Sequence, residues 1–139
     1  MPPDSSAIDE AIVQALRADT LLTSYMPDGV WVDEAPANSK RFVIVSLVEE
    51  VDPQGFDGRA MEDAVYLIKA VGLKSTNPNM RGAAVRIDTA LNDQPLSVSG
   101  YQSMVIFREN RIRTTEIDDI DNTIRWYHRG GRYRVVIST

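Results

Sequence analysis

Apolar residues recur along this chain with two different periods, and the period tells helix from strand. Near the start, Ile8, Ala11, Ile12, Ala15 and Leu16 fall at three- and four-residue spacing, the mark of one buried helix stripe. Ser5 or Ser6 can cap that helix, and Glu10 sits in its early turns, where a carboxylate suits the helix dipole. Asp19 begins a second short turn, "DTLLTSYM", which stops at Pro27-Asp28-Gly29, and "VWVDEAP" reads as a short strand ending at Pro36. Two long strands follow, "RFVIVSLVEEV" (41–51) and "EDAVYLIKAVGLK" (62–74), joined by the Gly/Pro/Asp loop "DPQGFDGR". A second helix is predicted over 78–92, where Asn77-Pro78 supplies a cap with proline at the first helical position. Met80, Ala83, Ala84, Ile87 and Leu91 make its apolar stripe. The segment "NDQPLSVSG" leads into a strand at 103–117. The acidic turn "DDIDN" separates that strand from a closing one at 124–138.

The predicted order is α-β-β-β-α-β-β. Long neighbouring strands joined by tight turns pair antiparallel, so the fold class is α+β: a mainly antiparallel sheet of about four to six strands, with two helices on one face. No linker, repeat or low-complexity segment interrupts it, so residues 1–139 read as one domain, with 1–6 as a flexible N-terminus. The first hairpin carries a further message. Phe42, Ile44 and Val48 alternate with Val43, Val45 and Leu47, while Val65, Leu67, Val71 and Leu73 alternate with Tyr66, Ile68 and Ala70. Both faces are apolar, whereas a strand wetted on one side should alternate apolar with polar. Two helices cover one face only, so the second face needs another cover, and the simplest is a second copy of the chain.

The closing segment, "RWYHRGGRYRVVIS", holds the chain's single histidine and the pair Gly130-Gly131. A hairpin turning at the glycines would set Arg129 against Arg132, a like-charge cross-strand pair, and would leave strand 103–117 without its obvious partner. One long strand with a glycine bulge or a close backbone approach is the better reading.

Composition narrows the function. Charged residues make 25% of the chain and the formal net charge is −5, which argues against a surface that grips nucleic-acid phosphates broadly. There is no cysteine, which excludes thiolate metal sites and cysteine catalysis and fits a reducing compartment. Neither a signal peptide nor a membrane span is legible.

Candidate chemistry is thin. His128 stands without a G-x-S-x-G elbow for any serine, and between Tyr127 and Arg129 it reads as an exposed strand residue rather than a catalyst. Asp118, Asp119, Asp121 and Asn122 offer oxygen ligands but lack the central glycine and final glutamate of a calcium loop, so a solvated turn is expected. Trp126, Tyr127 and Tyr133 interleave with arginines, yet they fall on both alternations, unlike the aromatic platform of a single-strand binder. No catalytic, cofactor or metal residue is assigned.

Charge layout says more. From Glu49 to Asp63 the chain has six acids (Glu49, Glu50, Asp52, Asp57, Glu62, Asp63) against Arg59, whereas from 124 to 139 it has four arginines and no acid. Such segregation leaves three readings: solvated faces, pairing within the fold, or head-to-tail pairing between copies. The candidate interface residues are Glu49, Glu50, Asp52, Phe56, Asp57, Arg59, Trp126, His128, Arg129, Arg132 and Arg134.

The run "IDEAIVQALRADTLLTSYMPDGVWVDEAP", then "RFVIVSLVEE", "VYLIKAVGLKSTN" and the ending "YHRGGRYRVVI", resembles the tail-completion or tail-terminator proteins of long-tailed, siphovirus-type bacteriophages. The resemblance covers nearly the whole chain in element order and length; "DPQGFDGRAMED" and the arginine-rich end match no family signature residue by residue. It implies a virion protein without catalysis, assembled in the host cytoplasm. Such a protein would form a hexameric ring at the head-proximal end of the tail, contacting tail tube protein and the head-neck connector and meeting genome DNA only in passing. Six acidic copies would carry a formal charge of about −30, and negative walls let DNA slide. Asp118, Asp119 and Asp121 are the candidate channel lining. The alternatives are another neck or head-tail joining protein, or a small enzyme or ligand-binding domain using His128, Arg129 and Arg132.

Overall fold

The structure is a computed structural model and describes residues 5–51, 61–73, 77–96, 98, 103–118, 120–121 and 123–138. Helices α1 (Ser5–Arg17), α2 (Thr20–Tyr25) and α3 (Asn77–Leu91) accompany strands β1 (Val30–Val32), β2 (Arg41–Val51), β3 (Met61–Leu73), β4 (Gln94–Leu96), β5 (Ser103–Ile117) and β6 (Arg125–Ser138). One sheet runs in the order β1-β2-β3-β6-β5-β4. All its pairs are antiparallel except β1 with β2. The α+β class, the four long strands and the long helices stand as the pattern predicts. Three short elements differ from the expectation: "TLLTSY" is a helix rather than a turn, "QPL" is a strand, and β1 pairs parallel.

Local chemistry explains the short elements. The Asp19 carboxylate accepts the Leu22 amide at 3.0 Å and caps α2, while Leu22 itself is fully buried. The same carboxylate receives Arg86 of α3 at 2.6 Å, so one side chain caps one helix and ties it to another. Asp93 follows α3 with φ 60°, and its amide reaches Ile106 O at 2.8 Å, which starts the β4–β5 pairing. Asn92 accepts the Arg108 amide at 2.8 Å, just beyond the last β4–β5 pair.

Beneath the helices lies the core. Ile8, Ile12 and Leu16 of α1 and Met80, Ala83, Ile87 and Leu91 of α3 are fully buried. They meet Val43, Val45, Tyr66, Ile68, Ala70, Ile106, Val135 and Ile137 of the sheet. The two buried tyrosine hydroxyls on this side are paired: Tyr66 donates to Asp9, and Tyr133 donates to Asp88 at 3.2 Å. Burial and the Asp88 carboxylate push the Tyr133 phenol well above the ordinary tyrosine value.

The closing segment is a single strand, with β3 on one side and β5 on the other. Its glycines are there for close approach. A Cβ on Gly130 would sit 2.0 Å from Ile68 O, and one on Gly131 would sit 2.6 Å from Asn110 O. The ladder irregularities lie elsewhere, between Leu47 and Glu49 in β2 and between Arg108 and Asn110 in β5.

Candidate functional site

The sheet register assigns the expected interface residues to two different faces. On the face away from the helices, Phe42, Val71 and His128 form one row, and Ser46, Leu67 and Arg132 another. A groove of about 400 Å³ opens there, bordered by Phe42, Ile44, Leu67, Trp126 and His128 and by Glu34 of the segment after β1. Trp126 meets Phe42 with ring centroids 6.2 Å apart and donates weakly to Asp118 at 3.5 Å.

His128 is not an exposed strand residue, because neighbouring strands close over it. It is 9% exposed, and among the described residues neither ring nitrogen has a hydrogen-bond partner. Glu116 stands 3.6 Å from Nε2, beyond hydrogen-bond distance. Burial, reinforced by nearby Lys69, holds the imidazole below its ordinary pKa, against the opposing pull of Glu116. An imidazole that no partner orients is a poor base for catalysis.

Farther along the same face, Arg134 resolves part of the charge question inside the fold. Its guanidinium reaches Asp63 at 2.8 Å and Glu109 at 3.1 Å. Glu49 is exposed, in register with Val65 at the hairpin end of β2. Of Glu50 only the backbone is described, and Asp52, Phe56, Asp57, Arg59 and Asp119 lie outside the described residues.

Asp118 and Asp121 build the β5–β6 turn. Asp118 accepts the amides of Ile120 and Asp121 at 2.8 and 3.1 Å, and Asp121 accepts the Thr123 amide and hydroxyl at 3.0 and 2.6 Å. Those bonds hold both carboxyls below the usual carboxylate range. Among the described residues, no three histidine, aspartate or glutamate side chains gather as a metal group.

Arg129 points the other way, into a second cavity of about 400 Å³ beside α3. Five arginines border it, Arg81, Arg108, Arg111, Arg113 and Arg129, against one acid, Asp88. Asp88 is already engaged by Arg108 at 2.6 Å and by the Tyr133 hydroxyl. Burial and the like charges of Arg113 and Arg81 push Arg129 below the ordinary arginine value. The sequence reading missed this cleft. In "RENRIR", strict alternation would send Arg108 and Arg111 to opposite faces. The extra residue at Glu109 shifts the register, so Arg108, Arg111 and Arg113 oppose Tyr133, Gly131 and Arg129 in turn.

Against this geometry the comparisons are consistent with one another. The model of the family described as tail completion protein gp17 matches residues 10–138. The curated proteins compared include no match. A chain of the solved structure described as "Virion of native gene transfer agent (GTA) particle" is similar in fold, with TM-score 0.65 at 21% identity, covering 97% of each chain. A second solved structure, 8% identical, has TM-score 0.58 and covers 98% of this chain and 96% of its own.

Proposed function

The chain belongs to the tail completion protein gp17 family and is a structural protein of the phage virion tail; from that premise we propose that its copies form a ring that caps the tail tube. The ring joins the tube to the head-neck connector and leaves a pore for DNA, and it acts without catalysis. The observation that carries this reading is the sheet's second face. Phe42, Ile44, Leu67 and Trp126 border an open groove there, on strands whose other face carries the core beneath the helices. A small domain with apolar residues on both sides of its sheet is suited to burying the second side against a neighbour. The charge imbalance supports the same reading, since an acidic chain with a local arginine cleft can join copies while the assembly stays negative toward DNA.

Light scattering after size-exclusion chromatography tests the proposal, on the chain alone and after incubation with tail tubes. The expected result is an oligomer of defined mass, either free or retained on the tubes. A chain that remains monomeric and unbound in both settings contradicts it. Labelling the protein in intact virions then tests its position: label at the head-proximal end of the tail agrees, and label elsewhere does not.

A further inference from the structure

We infer that the arginine cleft beside α3 is a receptor for the acidic stretch beginning at Glu49 of a neighbouring copy, which makes the contact head-to-tail; the inference rests on the ring reading above. The cleft gathers a third of the chain's fifteen basic residues into one cavity. Among the described residues, Arg81, Arg111, Arg113 and Arg129 have no carboxylate partner, and the one acid present is spent on Arg108 and Tyr133. Guanidiniums crowded in this way repel one another, and an incoming carboxylate relieves the repulsion while forming charge-assisted bonds. The walls between the arginines are apolar, including Val85, which is 59% exposed, and Ile112. An occupant should therefore carry several carboxylates and one apolar anchor. The sequence "EEVDPQGFD" (49–57) has that chemistry, with Glu49, Glu50, Asp52 and Asp57 around Phe56.

The chain's own 52–60 segment cannot bring its acids to the deep end of the cleft. The segment 52–60 joins the ends of β2 and β3, and Met61 is in register with Ser138. Arg129 lies nine residues back along β6, about 30 Å at strand rise. A nine-residue connection tethered at both ends reaches out only about 17 Å, half its extended length. Arg113 pairs with Arg129 and is equally remote. The deep end of the cleft is therefore out of reach of the chain's own 52–60 segment and open to a second copy. A DNA duplex is the poorer fit, because the basic surface is one cavity on a chain of net charge −5 rather than a continuous strip.

Charge reversal tests this directly. The variant R111E/R113E alters two exposed cleft arginines, and E49K/E50K/D52K reverses the proposed ligand. Circular dichroism checks that each folds, and light scattering reads assembly alone and on tail tubes. Each variant alone should lose the oligomer and elute at monomer mass, and an equimolar mixture should recover the wild-type mass, because each supplies what the other reversed. Carrying both reversals in one chain should also restore assembly. Wild-type assembly by R111E/R113E, or folded variants that fail to complement, overturns the inference and leaves the ring reading standing. If R111E/R113E assembles normally but loses binding to a short DNA duplex, the cleft is a phosphate site and the inference falls. A wild-type chain that never associates removes the ring reading, and this inference with it.

Discussion

Leu67 and Ile68 are neighbours in β3, yet they belong to different kinds of surface. Ile68 points into the helix-covered core and is fully buried. Leu67 borders the open groove and is only partly covered. Polar groups repeat the contrast. Tyr66 and Tyr133, under the helices, both have carboxylate partners, whereas among the described residues His128 on the far face has none for either nitrogen. A face that a chain completes by itself satisfies its buried donors, since an unpaired one costs about 1–3 kcal/mol. The far face carries an imidazole unsatisfied among the described residues beside partly covered aromatics, the kind of surface that the proposed neighbouring copy would complete.

The largest effect is expected at β6, the strand that serves both faces. Gly130→Ala would force a Cβ against Ile68 O, and the β3–β6 ladder must shift to admit it. We expect a loss of about 3 kcal/mol or more in urea unfolding; a loss below about 1 kcal/mol would show that the close approach is not needed.

Next comes the Leu67/Ile68 pair. Ile68→Ala should cost about 3 kcal/mol by the cavity argument, and Leu67→Ala about 1 kcal/mol in the isolated chain, where its site is already partly wet. In assembly on tail tubes the order should reverse in relative terms: Leu67→Ala should weaken binding more than its small effect on folding suggests. Equal folding costs would mean that the two faces are equally packed.

Acid separates the faces in a third way. The folded His128 pKa is depressed by burial below the ordinary 6.5, so the unfolded chain binds that proton more readily. Its contribution is fully present above about pH 6.5 and is lost as pH falls through the lower, folded value. On the helix side, the Arg86 bond holds Asp19 below the ordinary 3.8. That contribution is present above about pH 3.8 and is lost only as pH falls farther, through the folded value. Urea midpoints against pH should show two windows, the upper one absent in His128→Leu and the lower one reduced but not abolished in Asp19→Asn, because Asp28, Asp118 and Asp121 are also held below the usual carboxylate range. An unchanged upper slope in His128→Leu would remove the histidine from the account.

The smallest effect is expected at the β5–β6 turn. Asp118→Ala removes two turn hydrogen bonds at an exposed site and should cost about 0.5–1 kcal/mol. A change in assembly without any loss of folding stability would instead favour a channel or contact role for this turn.

The long elements were legible because their residues obey one period for ten positions or more, and the two-faced apolar pattern of β2 and β3 matches the core on one side of the sheet and the apolar-walled groove on the other. The short ones were less so: Val30–Val32 read as a strand, but a parallel partner leaves no local trace, and three residues such as Gln94–Leu96 have no measurable period. The reading of Gly130-Gly131 as close approach followed from the cost of setting Arg129 against Arg132. His128 looked exposed because its sequence neighbours are polar, but its spatial neighbours, Val71 and Thr114, come from other strands. The arginine cleft escaped for a related reason: one extra residue at Glu109 reverses the alternation, and nothing in "RENRIR" announces it.

Electron microscopy of the purified chain mixed with tail tubes decides whether copies assemble as proposed. A ring with a central pore seated at one end of the tube is expected, and bare tube ends beside a persistently monomeric chain would contradict it.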